Sequence, residues 1–303
     1  ALSGKVAPGV TTADLDQIAE AMILDAGAVP AFKGYHGYPA TICASVNDEV
    51  IHGIPSGRRA LKEGDVISID VGAALAGYYG DSAITLPVGQ ISEAAALLLR
   101  VTEESLYKAI EVVKPGGRVS DIGHAVQSHV EAHGFSVVRE FVGHGVGQQM
   151  HEDPQVPNYG EPGRGPRLAE GMVLAIEPMV NLGTRHVYTN RSDKWTIQTE
   201  DGKPAAHYEH TVCITAGEPD LLTRFDLIEE AIHIGANAGQ GPQRIGVVLL
   251  THQGPHLGGE IVDGGEQGFL RRLLQRTGIA GAGVDLGLLQ DVANAFIGGR
   301  QGF

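Results

Sequence analysis

Val66-Ile67-Ser68-Ile69-Asp70-Val71 is followed, after a Gly/Ala-rich connection at 72–80, by Asp81-Ser82-Ala83-Ile84-Thr85-Leu86-Pro87-Val88. Both runs are apolar or alternating and predict two strands of a β-hairpin. Each carries an aspartate, and a charged group in such a run is costly unless it is paired or coordinated. The hairpin predicts Asp70 and Asp81 face to face across paired strands. It also argues for a largely antiparallel sheet.

Three further segments repeat the pattern: Gly143-His144-Gly145, Ile176-Glu177-Pro178 and Tyr208-Glu209-His210. Each sets a metal-type side chain inside or beside an apolar, strand-like run; Met172 to Ile176 and Thr211 to Thr215 read as the later strands. Any one of these residues has an ordinary explanation, such as a turn cap for Asp70 or a buried ion pair for Glu177. Five in similar settings point to a shared purpose. Four carboxylates and one imidazole can hold two divalent cations, and the oxygen-rich set suits Mn, Fe(II) or Co better than a thiolate zinc site does. Two metals sharing carboxylates can activate a water, which points to hydrolysis.

Around these strands lie helices and an internal repeat. Pro8-Gly9, Asp14 and Gly27 recur as Pro115-Gly116, Asp121 and Gly134, offset by 107 residues. Between the markers run stripes at helical spacing: Leu15, Ile18, Ala19, Met22 and Ile23, then Ile122, Ala125, Val126 and Val130. Thr11 or Thr12 and Ser120 are the expected N-caps. Glu93 to Val113 is a longer helical stretch. Strands interleaved with helices indicate a mixed α/β or α+β domain in two related halves, meeting near residue 100.

After about Thr223 the sequence becomes dense in glycine and loses any sustained period. Glycine gives up the most backbone entropy on folding, so 224–303 reads as a poorly ordered or accessory tail. The chain has 303 residues, with 22 basic against 36 acidic side chains and a net charge of −14. That balance argues against nucleic-acid binding. Two cysteines, Cys43 and Cys213, are too few for a disulfide framework and favour a reducing cytoplasm. No apolar run nears the length that spans a bilayer.

His52, in Val50-Ile51-His52-Gly53-Ile54-Pro55, and His151, in Met150-His151-Glu152-Asp153-Pro154, are further candidates. A histidine beside a dinuclear centre can hydrogen-bond a scissile amide and stabilise its tetrahedral intermediate. The glycines of Gly143-His144-Gly145-Val146-Gly147 match a nucleotide-binding loop only weakly. Their simpler role is a tight turn that lets the His144 backbone approach the metals.

These motifs, with Tyr35-His36-Gly37-Tyr38-Pro39, Asn47-Asp48-Glu49 and Ile176-Glu177-Pro178-Met179, fall in the order seen in one family. Over about residues 5–222 the chain resembles the type I methionine aminopeptidases. The resemblance implies an α+β "pita-bread" fold: pseudo-twofold duplicated α/β units around a curved antiparallel sheet. It implies a metal-dependent domain over 1–223, with halves at about 1–100 and 101–223, and a tail at 224–303 without counterpart. The family's first N-terminal helix is expected to be missing.

By motif position, the resemblance implies Asp70, Asp81, His144, Glu177 and Glu209 as ligands of two divalent ions. Asp81 and Glu209 would bridge both, Asp70 would chelate one, and His144 with Glu177 would bind the other. Glu177 would also shuttle the proton of the bridging hydroxide that attacks the first peptide carbonyl. His151 would contact the scissile amide, and His52 would assist the intermediate or the leaving amine. Tyr35, Tyr38, Cys43 and Trp195 would line the methionine pocket, which suits a thioether. Met150 stands where the family usually has an aromatic residue. The implied activity is removal of the initiator methionine, preferring a small second residue, by a cytoplasmic monomer acting on nascent polypeptide N-termini. Attachment to the ribosome surface is left open, and no membrane or nucleic-acid partner is implied.

Two other readings compete. A proline dipeptidase or an aminopeptidase cutting before proline typically carries Glu-Asp in the last ligand segment, where this chain has Glu209-His210. A non-catalytic binding protein on the same scaffold usually loses ligands, whereas all five are present here.

Overall fold

The computed structural model describes residues 2–224; the glycine-rich tail expected over 224–303 lies, but for its first residue, outside the described residues. Strands Val66–Leu75 and Tyr78–Pro87 form the hairpin, pairing antiparallel from Val66 opposite Pro87 to Leu75 opposite Tyr78. The expected connection at 72–80 is mostly strand. Only Ala76 and Gly77 turn, both with positive φ (52° and 85°), as a two-residue hairpin loop of the primed type requires. Gly72 belongs in the strand for a packing reason: a Cβ there would lie 2.5 Å from Cε1 of Phe32.

The register also corrects the expected pairing of the aspartates. Asp70 is opposite Ala83, and Asp81 is opposite Gly72. Side chains alternate along a strand, so Asp70 and Asp81 share a face as diagonal neighbours instead of standing directly opposed. The other edge of Val66–Leu75 pairs with Ile42–Val46 and, further along, with Val29–Pro30. A five-stranded sheet serves the second half, in the order Asp220–Leu221, His210–Cys213, Val173–Ile176, Gly143–Gly145, Glu152–Val156. Among the described residues every registered strand pair is antiparallel.

The duplication is visible in the backbone. Helix α1 (Thr12–Asp25) and helix α3 (Val119–Ala132) start 107 positions apart and have the same length, 14 residues. Between them lies α2 (Glu93–Glu111). Gly9 and Gly116 both take positive φ, and their N–H groups donate to the carbonyls of Leu61 and Leu168, again 107 apart. The isolated bridges Thr11–Ala60 and Arg118–Arg167 match in the same way. Strands Val66–Leu75 and Val173–Ile176 therefore begin at equivalent places, and Asp70 is the counterpart of Glu177.

Thr11 caps α1: its hydroxyl accepts from the Asp14 N–H, and the Asp14 carboxylate accepts from the Thr11 N–H at 2.9 Å. Ser120 does not cap α3. The N-cap position falls to Arg118, whose extended backbone bridges to Arg167, and the Asp121 carboxylate accepts the Arg118 N–H at 2.8 Å. Ser120 sits within the first turn and exchanges hydrogen bonds with the Arg164 backbone.

Both helical stripes face inward. Leu15 and Ala19 of α1 pack with Ile42, Ile67 and Ile69 of the first sheet, each large side chain contributing roughly 1.5–3 kcal/mol on burial. Ile122, Val126 and Val130 of α3 join Leu98, Val101 and Ile110 of α2 in a larger core with Leu174 and Ile176. Cys43 and Cys213 are both buried free thiols. Among the described residues no helix is long and apolar enough to cross a membrane.

Candidate metal centre

Asp70 and Asp81 reach the site from the hairpin, His144 from Gly143–Gly145, Glu177 from the end of Val173–Ile176, and Glu209 from the residue before His210–Cys213. The strands carrying the last three are neighbours: His144 is opposite Ala175, and His210 is opposite Ile176. Glycines flank His144 because neighbouring backbone comes too close for side chains. A Cβ on Gly143 would collide with the Ala175 carbonyl oxygen, and one on Gly145 with that of Asp153. The expected tight turn is instead a strand, and the close approach is to the backbone of neighbouring segments.

The two halves are locked together at this point. The Glu209 N–H donates to the Ala83 carbonyl at 2.8 Å, and the Ser82 hydroxyl donates to the Glu209 carbonyl at 3.1 Å. Side-chain atoms of Asp81, His144 and Glu209 lie within 4.8 Å of one another. Glu177 Oε1 is 3.6 Å from His144 Nε2, and Asp81 Oδ2 is 3.9 Å from the same nitrogen. Asp70 joins across the hairpin face. All five sequence-predicted ligands thus converge.

The electrostatics are those of crowded acids. Burial pushes the Asp81 carboxyl up to about 6 and that of Glu177 up to about 7. Burial, then the charge of Asp81, raises Asp70 and Glu209 well above the carboxylate range. Among the described residues no lysine or arginine pairs with them, and the nearby nitrogen groups are histidines. Asp70 Oδ1 and Glu209 Oε1 are buried without a hydrogen-bond partner. His144 Nδ1 lies 2.9 Å from the Gly145 carbonyl, which can only accept. The proton therefore sits on Nδ1, and Nε2 faces the carboxylates with its lone pair. Orphaned anionic oxygens and one oriented imidazole fit divalent cations, whose charge reverses the penalty of collecting these acids.

His151 is exposed and its ring is 4.2 Å from that of His144 between centroids; Tyr35 Oη lies 2.9 Å from His151 Nδ1. Burial and then His144 lower His151 to about 4, so its imidazole is neutral near pH 7. His52 is half-buried, similarly lowered to about 4 by burial, and its ring is 6.4 Å from that of Trp195. Tyr38, Cys43 and Trp195 form one apolar cluster with Phe32 and Ile54. Cys43 is directly opposite Asp70 in the sheet, which joins this cluster to the acids. Tyr35 lies outside it, stacked on His151. An open cleft of about 700 Å³ is lined by His144, His151, Gln149 and Glu152, among others.

His207 escaped the sequence reading. It is buried, its Nε2 is 3.4 Å from Glu177 Oε2, and burial lowers it to about 4. The available signal was spacing: His207 is two residues before Glu209, at the end of the strand Ala205–His207.

The sequence pattern of metallopeptidase family M24 matches residues 1–216. The chain belongs to this family. It is 60% identical over 223 residues to methionine aminopeptidase 1 of Bacillus subtilis (strain 168), covering 74% of this chain and 89% of that protein. A methionine aminopeptidase of Clostridium acetobutylicum is 59% identical over 216 residues, 71% of this chain and 86% of its own. A crystal structure of methionine aminopeptidase from Thermotoga maritima superposes with a TM-score of 0.73 at 48% identity, covering 74% of this chain and 89% of the other. The pita-bread α+β fold expected of the family member is borne out by this likeness and by the antiparallel sheets described above. As an M24 metallopeptidase the chain uses divalent metal.

Proposed function

We propose that this chain removes the N-terminal methionine from nascent polypeptides and peptides with a small second residue. The convergence of Asp70, Asp81, His144, Glu177 and Glu209 from both halves into one buried cluster carries the reading. Identity of 60% to a methionine aminopeptidase along most of its length supports it. The metallopeptidase unit is assigned to 1–223, acting as a cytoplasmic monomer, with two ions of the Mn, Fe(II) or Co type. Asp81 and Glu209 would serve both ions, Asp70 one, and His144 with Glu177 the other. When bound, such ions supply Lewis acidity toward a carbonyl and lower the pKa of water.

The remaining work falls to side chains. Tyr38, Cys43 and Trp195 offer an apolar, sulfur-lined surface beside Asp70 that accepts a thioether. Tyr35 borders the same entrance through its contact with His151. His151, held by the Tyr35 hydroxyl 2.9 Å from its Nδ1, is assigned to donate from Nε2 to the scissile amide. That donor strengthens its bond as charge develops on the tetrahedral centre. Glu177 takes the proton of the attacking water and delivers it to the departing amine nitrogen. His52, neutral and with its ring 6.4 Å from that of Trp195, is assigned to assist the intermediate or the leaving amine.

The test is peptide hydrolysis by the full chain reloaded anaerobically with Mn or Fe(II), using Asp81→Ala as the blank. Release of methionine from Met-Ala-Ser, and not from Met-Lys-Ser, is the expected result. Cleavage of Ala-Pro-Ser instead would move the chain to the proline-directed peptidases.

A further inference from the structure

Glu104, His129 and His133 form a second cluster of ligand side chains, at the exposed surface of the α2–α3 pair. His129 and His133 stand one turn apart on α3, the spacing that sets two side chains on one helix face. Packing of Val101 and Ile110 of α2 against Ile122, Val126 and Val130 of α3 brings Glu104 across to meet them. The His129 Nε2 lies 3.0 Å from Glu104 Oε2, the two imidazole rings are 4.7 Å apart, and one ligand atom of each residue lies within 4.8 Å of the others.

Two independent features point to a cation. His133 Nδ1 lies 2.8 Å from the His129 carbonyl. A carbonyl only accepts, so Nδ1 carries the proton and Nε2 is left with a free lone pair; a ligating histidine is commonly fixed in this way. His129 lies in the last turn of α3 and His133 at its C-cap, where the partial negative charge of the helix terminus favours positive charge. Among the described residues Arg100 also pairs with Glu104, at 3.8 Å from Oε1, whereas His129 meets Oε2.

We propose that Glu104, His129 and His133 form a surface site for a borderline divalent cation of the zinc type, which clamps α2 to α3. Two imidazole nitrogens and one carboxylate oxygen are a three-ligand zinc set, with water completing a tetrahedron. Bond lengths of about 2.0–2.1 Å place such ligand atoms about 3.3 Å apart. The His129–Glu104 pair is already near that separation as a hydrogen bond whose Nε2 proton the cation would displace to solvent, so His133 has the larger adjustment to make. Imidazole donors select against magnesium and calcium, which prefer oxygen. An ion held by the folded helix pair and not by the unfolded chain stabilises the fold by mass action.

The full chain, saturated first with Mn(II), is dialysed against micromolar Zn²⁺ beside His133→Gln and the double variant Glu104→Gln/His129→Gln. The substitutions are on the surface, and circular dichroism checks that both variants fold. The intact chain is expected to retain one more zinc than either variant, and zinc is expected to raise its Tm more. Met-Ala-Ser hydrolysis by the Mn-loaded forms is expected to be equal in all three, so failure of the peptidase reading is separately visible. Equal zinc retention by a folded variant and the intact chain would overturn the site.

Discussion

Asp81 and Thr211 exchange a reciprocal pair of hydrogen bonds across the two halves of the fold. The Asp81 N–H donates to Thr211 Oγ1 at 3.0 Å, and the Thr211 hydroxyl donates to the Asp81 carbonyl at 2.7 Å. Thr85 and His207 repeat the arrangement: the His207 N–H donates to Thr85 Oγ1 at 2.8 Å, and the Thr85 hydroxyl donates back at 2.9 Å. Asp81 and His207 are therefore pseudo-twofold mates. The duplication does more than build two similar halves. It fixes, from each half, the backbone of a residue that faces the acids of the centre.

Thr211→Val keeps the shape and removes both bonds, stranding a buried N–H and a buried carbonyl. A stability loss of about 1–3 kcal/mol follows, with metal affinity lower by about 10–100-fold as Asp81 loses its support. Thr211→Ser restores both bonds and should stay near wild type. Thermal melting and metal titration of the two variants read the contrast; wild-type affinity in Thr211→Val would refute the support role.

Gly143→Ala tests the close approach at His144. The added Cβ meets the Ala175 carbonyl oxygen, a backbone atom that cannot swing aside. Overpacking of this kind costs about 1–3 kcal/mol, and it should also shift His144 and weaken metal binding. A variant with unchanged Tm and metal content would show that the strand yields.

The hairpin and the five acid-and-imidazole positions were legible because alternation and a charge in an apolar run are local signals. The hairpin's true length was not. Its turn is Ala76-Gly77, and alanine is not the residue that announces a positive φ, so the glycine and alanine before it read as loop. Ser120 was a plausible cap by residue type, but the Arg118–Arg167 bridge, a contact between distant segments, moved the helix start. His207 was hidden because its meaning depends on a partner, Glu177, 30 residues earlier. The diagonal offset of Asp70 and Asp81 depends on the same turn register that was missed.

Asp121 gives a pH-dependent contribution with a definite sign. The N–H groups of Gly163 and Arg118 donate to its carboxylate at 2.7 and 2.8 Å and hold its pKa below the usual value. A depressed folded-state pKa means the contribution is complete above the unfolded value of about 3.9 and is lost as pH falls through the folded value. Asp121→Asn should lose on the order of 1 kcal/mol at pH 7. Its deficit relative to wild type should shrink below pH 4. Melting curves at both pH values check this; a deficit that grows on acidification would reverse the assignment.

Asp81→Ala and His151→Ala separate ligand from donor. Asp81, assigned to both ions, should take metal and activity with it when truncated. His151 lies at the rim, so His151→Ala should keep its metal and slow turnover by about 10²–10⁴-fold. Metal content by elemental analysis, beside Met-Ala-Ser hydrolysis, distinguishes the two. Metal loss in His151→Ala would place that histidine among the ligands.

His207 provides the finer test of how the centre is positioned. Its Nε2 lies 3.4 Å from Glu177 Oε2 and makes no hydrogen bond in the metal-free chain, so it is placed to restrain the outer oxygen of a carboxylate whose inner oxygen faces His144. His207→Leu removes the restraint while keeping an apolar body in the pocket. Turnover should fall by about 10-fold or more, with KM little changed, because Glu177 loses orientation and the methionine-side cluster of Tyr38, Cys43 and Trp195 is untouched. His207→Gln retains an N–H donor and should recover part of the loss. A change confined to KM in both variants would instead assign His207 to substrate contact, since orientation of Glu177 acts on the reacting step.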